Sequence, residues 1–138
     1  MREIPGYSLW LGHAGDIRNL QTVLSAGIVA IVDLALEGMP ASVPRECLYC
    51  RFPLLDGSGN SNGLLHAALD TTASLLRSRT PTILCCGAGM SRSPAIAAGA
   101  MSIVTGRSPD ECLSQVAEFA AADVSPALWR DVKAALAE

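Results

Sequence analysis

The chain is 138 residues long, half of them hydrophobic and only 4% aromatic, with a formal net charge of −3. That length and apolar share suit one globular domain over residues 1–138 with a single buried core. A single lysine, Lys133, and so few aromatic rings exclude the clustered cations and stacking platforms of a nucleic-acid binder.

The apolar runs fall well short of the roughly 18 residues a membrane span needs, and MREIPGYSLW lacks a signal-type apolar core. A cytoplasmic protein without membrane attachment is expected. Five cysteines, two of them adjacent at Cys85 and Cys86, make a poor disulfide framework and point to reduced thiols. Cys47 and Cys50 form a Cys-x-x-Cys pair, but no second pair or histidine cluster stands at ligand spacing. No metal or other cofactor is expected.

Taken in chain order, Tyr7 to Leu11 reads as a short strand, after which Asp16 caps a helix carrying Ile17, Leu20, Val23 and Leu24 and ending at Gly27. Ile28 to Leu34 is a near-continuous apolar run, the pattern of a strand covered on both faces, and Cys47 to Leu55 and Thr80 to Cys85 read similarly. Asp56 to Gly63, DGSGNSNG, is a turn-rich loop feeding an amphipathic helix over Leu64 to Leu76.

Beyond Cys85 the small-residue stretch CGAGMSRS leads into a helix from Pro94 to Val104 that Gly106 terminates. Ser108, Pro109 and Glu111 supply an N-cap, a proline at the first helical position and a capping-box glutamate. Ser125 and Pro126 repeat the cap and proline signal ahead of a last helix through Leu136. The order of elements predicts an α/β fold: a central, mostly parallel sheet of four to five strands flanked by helices.

The chemistry concentrates in TILCCGAGMSRSP, where an apolar strand runs into a loop of small residues and the loop opens a helix. Backbone N–H groups between Cys86 and Arg92 can converge there, and the helix adds its own free N–H groups and positive dipole end. Gly87, Ala88, Gly89, Met90, Ser91 and Arg92 are therefore the candidate phosphate-binding residues. Cys86, at the base of the loop, stands in a field that favours a thiolate. Arg92 can grip two phosphate oxygens through paired hydrogen bonds.

This segment resembles the cysteine-dependent protein phosphatases, whose signature is His-Cys, five residues, Arg, then Ser or Thr. Cys86-Gly87-Ala88-Gly89-Met90-Ser91-Arg92-Ser93 matches from the nucleophile onward, in the finer form Cys-x-Ala-Gly-x-Ser-Arg-Ser of dual-specificity members. IPGYSLWLGHAGDIRNLQTVLSAGIVAIVDL, RFPLLD and RSPDECLSQV look like other parts of the same domain, so the resemblance covers almost the whole chain. It implies a phosphocysteine mechanism with Cys86 as nucleophile and no metal. Arg92 is then the phosphate clamp, and Ser93 donates a hydrogen bond to the sulfur. Asp56, thirty positions before Cys86, is the general acid, on a loop that Gly57 and Gly59 let close. The implied substrates are phosphorylated proteins or small phosphomonoesters.

Cys85 stands where the family has histidine, and this leaves a phosphate-binding pseudophosphatase as an alternative. A rhodanese-like sulfurtransferase is another, since it also sets a cysteine at the base of an anion loop, although a five-residue loop and an upstream acid suit phosphate better. Strand alternation turns Cys85 away from the loop and into the core. Among Cys47, Cys50, Cys85 and Cys112 there is room for a partner that forms a disulfide with Cys86 on oxidation, as in some relatives. Asp33 reads as a loop tether at a strand end, and His13 and His66 as surface residues.

Overall fold

The structure is a computed structural model describing residues 1–138. A hairpin opens the chain, with β1 (Arg2–Ile4) antiparallel to β2 (Leu9–His13) and Glu3 opposite Trp10. β1 left no mark in the sequence pattern, because it has only three residues, two of them charged and exposed, as an edge strand often does. β2 begins later than the pattern suggests: Gly6 (φ 89°) and Ser8 (φ 51°) are used in the turn.

Two short helices, α1 (Ala14–Arg18) and α2 (Leu20–Ser25), replace the single expected one. The cap is His13 rather than Asp16. His13 Nδ1 accepts from the Gly15 N–H at 3.0 Å, and the Asp16 carboxylate reaches back to accept from the His13 N–H at 2.9 Å. Asp16 thus takes the acidic position of a capping box, inside the helix.

The parallel part of the sheet comprises β2, β3 (Ala30–Ala35), β4 (Leu48–Leu54) and β5 (Thr82–Cys86), and the full order is β1-β2-β5-β3-β4. Every residue of β3 and β5 is buried, so both read as unbroken apolar runs. The expected α/β sheet is present as five strands with one antiparallel edge.

α3 (Asn62–Arg77), α4 (Arg92–Thr105), α5 (Pro109–Phe119) and α6 (Pro126–Leu136) cover one face and build the main core with Val32, Leu34 and Leu84. α1 and α2 cover the other face, where Ile17 and Val23 meet Ile31 and Ile83. α4 starts two residues ahead of Pro94, which lies in the first turn, where its missing N–H costs no helical bond. Gly106 ends α4 in the left-handed conformation and Ser108 caps α5, as their sequences suggest, whereas α3 starts two residues ahead of Leu64 and is capped by Ser61. Glu111 does not return the bond of a capping box; its carboxylate lies 3.6 Å from Arg107 Nε. No helix is long and apolar enough to cross a membrane.

Candidate active site

In a parallel sheet the loops leaving the carboxyl ends of the strands share one edge, and a crevice forms where neighbouring loops diverge. Here β5 lies between β2 and β3, so the loops after β3, β4 and β5 converge. They enclose a cavity of about 520 Å³ lined by Cys86, Gly87, Ala88, Met90, Ser91 and Arg92 from the β5 loop. Leu36 and Glu37 after β3, Leu54 at the end of β4 with Leu55 and Asp56 after it, and Asp123 between α5 and α6 complete the wall.

Cys86 is the last residue of β5 and is 2% exposed. Alternation along the strand sends Cys85 to the opposite face, into the small cluster with Ile17, Ile31 and Ile83. Burial pushes the Cys85 thiol far up, with nearby Asp16 and Asp33 adding to the effect. All five cysteines are free thiols. Gly89 turns the loop at φ 79°, and a Cβ there would lie 2.8 Å from the Gly12 carbonyl oxygen. Gly89 faces a separate, smaller recess beside Arg2 and His13.

Arg92 is 5% exposed, and its donors can be accounted for one by one. Nη1 donates to Glu37 Oε1 at 2.7 Å and to the Leu54 carbonyl at 2.9 Å, and Nη2 donates to Glu37 Oε2 at 2.8 Å. A guanidinium has five N–H bonds. The two left over, on Nε and on the adjoining side of Nη2, form one edge of the plane, and Nε is buried without a partner. That edge is a two-pronged donor of the kind that fits a phosphoryl group. The Glu37 carboxyl is held down to about 2, first by the hydrogen bond from Arg92 and then by its own backbone N–H.

Asp56 is tied to the same loop. Its Oδ1 accepts from the Ser91 hydroxyl at 2.6 Å, and Ser91 Oγ in turn accepts from the Ser125 N–H at 2.9 Å. Ser91 precedes α4 but makes no side-chain cap bond to the helix; its hydroxyl serves Asp56 instead. The Asp56 loop is closed by Asn60, whose side chain bonds both the N–H and the carbonyl of Leu55, at 2.8 and 2.9 Å.

Ser93 is fully buried, and its hydroxyl has no hydrogen-bond partner, Cys86 included. It lies outside the cavity wall, as Gly89 does. Asp33 is 3% exposed beneath the site; it accepts from the Ala35 N–H at 3.2 Å and the Tyr49 hydroxyl at 2.7 Å. His13 serves as a cap, and His66 pairs with Glu138 at 2.9 Å on the far side of α3. No three His, Cys, Asp or Glu side chains gather into a metal-binding group.

Sequence reading passed over Glu37, Asn60 and Asp123. Glu37 carried a usable signal: an acid two residues beyond a fully buried parallel strand belongs to the edge where such sheets place their sites. Asn60 and Asp123 lie among ordinary turn residues.

No family model and no curated protein matches the sequence. Solved structures match it in fold. The crystal structure of human DUSP28 superposes at a TM-score of 0.85 with 18% identity, covering 99% of this chain and 96% of that one. A mouse putative dual specificity phosphatase, complexed with zinc tungstate, gives 0.83 and 19%, covering 99% and 86%. PTPMT1 in complex with PI(5)P gives 0.73 and 16%, covering 99% and 94%.

Proposed function

We propose that this chain, which has the dual-specificity phosphatase fold, is a cysteine-dependent phosphatase that hydrolyses phosphate monoesters. The observation that carries the reading is one cavity lined by Cys86, Arg92 and Asp56, in which Arg92 keeps a buried Nε without a partner. A soft nucleophile, a planar two-donor cation and an acid are what phosphoryl transfer to sulfur requires.

In the first step Cys86 Sγ attacks phosphorus and the P–O bond to the leaving group breaks, while Asp56 gives its proton to the departing oxygen. Arg92 holds two of the equatorial oxygens as charge builds on them. In the second step Asp56 takes a proton from water, the water oxygen bonds to phosphorus and the P–S bond breaks. Inorganic phosphate and the original thiolate result. Phosphorylated serine, threonine or tyrosine in proteins, or a small phosphomonoester, is the substrate class.

A second reading, a phosphate-binding pseudophosphatase, draws on Cys85 in the histidine position and on the Ser93 hydroxyl, which makes no bond to the sulfur. One experiment separates the readings. Wild type hydrolyses an aryl phosphate, Cys86→Ser does not but still binds phosphate, and Cys85→Ser stays active. Arg92→Lys loses about 100- to 1000-fold, since a point charge cannot replace a fork. Phosphopeptide binding without turnover points to the pseudoenzyme, and cyanide-dependent thiocyanate formation to a sulfurtransferase.

A further inference from the structure

We infer that the site selects a singly phosphorylated peptide in which basic and apolar side chains flank the phosphorylated residue, and that it rejects substrates bearing further anionic groups. The inference rests on the phosphatase reading above and concerns the rim of the cavity. Arg92 is the one cation in the cavity wall, and Glu37 already neutralises it through both terminal nitrogens. Its buried, unpartnered Nε edge accommodates one phosphoryl group and nothing more.

Around that edge the wall is acidic and oily. Asp56 and Asp123 are exposed, and no lysine or arginine pairs with either. Arg51, beside the Glu37 loop, and Lys133 on α6 are committed elsewhere, and Arg2 and Arg18 line neighbouring recesses rather than this cavity. Arg51 donates to the carbonyls of Ala35, Leu36 and Gly38, and Lys133 sits 3.5 Å from Asp110 and over the Trp129 ring. Leu36, Leu55 and Met90 line the same cavity at 49%, 43% and 42% exposure.

With a phosphoryl group bound, the mouth holds more negative charge than its single guanidinium offsets, even when Asp56 is protonated. A second phosphate, an acidic side chain or an anionic lipid surface would meet this field at close range and be repelled. An arginine or lysine side chain fits it. The methylene stem lies on the Leu and Met side chains while the charged head reaches the carboxylates.

The test compares kcat/KM on two synthetic phosphotyrosine peptides that differ only in arginine or glutamate beside the phosphorylated residue. The arginine peptide is expected to be favoured roughly 3- to 30-fold at low salt, from one attractive and one repulsive surface pair. The ratio shrinks toward one at high ionic strength. Asp123→Lys keeps the backbone bond from the Asp123 N–H to the Met90 carbonyl at 2.7 Å, and it should erase or invert the preference. A ratio of one or below at low salt overturns the inference. So does faster turnover of a phosphatidylinositol monophosphate in phosphatidylcholine vesicles than of the arginine peptide. The same comparison is made by binding, with the Cys86→Ser variant. Absence of turnover in the wild type would therefore end the phosphatase reading alone: tighter binding of the arginine peptide still supports the rim inference, and equal binding ends it.

Discussion

Glu37 meets Arg92 end-on, with both carboxylate oxygens within 2.8 Å of the two terminal nitrogens, and so leaves the side edge of the guanidinium as its only free fork. Gly87 makes room for this arrangement, because a Cβ there would lie 2.7 Å from Glu37 Oε2 and 3.1 Å from Arg92 Nη2. Fifty-five residues separate the partners in sequence. In the proposed mechanism Glu37 acts as a positioning residue that orients the Arg92 clamp.

Removing it should therefore cost rate rather than affinity. Glu37→Ala is expected to lower kcat on an aryl phosphate by roughly 10- to 100-fold, the scale of a small misplacement in a site built on orientation. KM should not rise, since Arg92 also loses its internal counter-charge. An unchanged kcat with a lower KM would show instead that Glu37 merely competes with phosphate for Arg92.

The same pair makes stability depend on pH with a defined sign. Glu37 titrates at about 2 in the folded chain against an ordinary 4.5, so its contribution is complete above the unfolded value and is lost as pH falls toward 2. The urea midpoint of wild type should exceed that of Glu37→Gln by a constant amount from neutral pH down to about 5. The gap should close between about 4.5 and 2. A gap that widens on acidification would remove the ion pair from the account.

Asp56 and Ser91 form a second testable couple. Asp56→Asn is expected to lower kcat about 100- to 10,000-fold on a substrate with a poor leaving group, and far less when the leaving group is a stable anion. Ser91→Ala removes the 2.6 Å bond that holds the carboxyl over the loop. It should reproduce the same dependence on leaving group in weaker form. Equal losses from Ser91→Ala on both substrates would mean that Ser91 shapes the loop and does nothing for Asp56.

Beneath the Glu37 loop, the Tyr49 hydroxyl donates to Asp33 Oδ2 at 2.7 Å and accepts from the Ala41 N–H at 2.9 Å. Tyr49→Phe strands a buried carboxylate oxygen and should cost about 1 to 3 kcal/mol in chemical denaturation. If the cost is negligible, Asp33 is held by Ala35 and by Arg51, whose Nε lies 3.9 Å away.

Much of the architecture was legible without coordinates, because the signals involved are local. Continuous apolar runs marked β3 and β5, an amphipathic pattern marked α3, the Ser108 cap marked α5, and Gly106 marked the end of α4, each within a few neighbouring residues. The helix after β2 misled because the cap is His13, a residue that propensity does not mark for that place, which leaves Asp16 inside the first turn.

By itself the sequence determined the loop from Cys86 to Arg92, since a five-residue spacing between a strand and a helix is a property of contiguous chain. It also determined that Cys85 and Cys86 point to opposite faces, a consequence of strand pleat. Only the tertiary structure decided what surrounds that loop. The order β2-β5-β3-β4 brings Glu37 and Asp56 to one edge, the Asp123 N–H bond to the Met90 carbonyl adds a third distant segment, and no local pattern encodes such a meeting. The free edge of Arg92 is likewise a tertiary fact, because it exists only once Glu37 and the Leu54 carbonyl have taken the other donors.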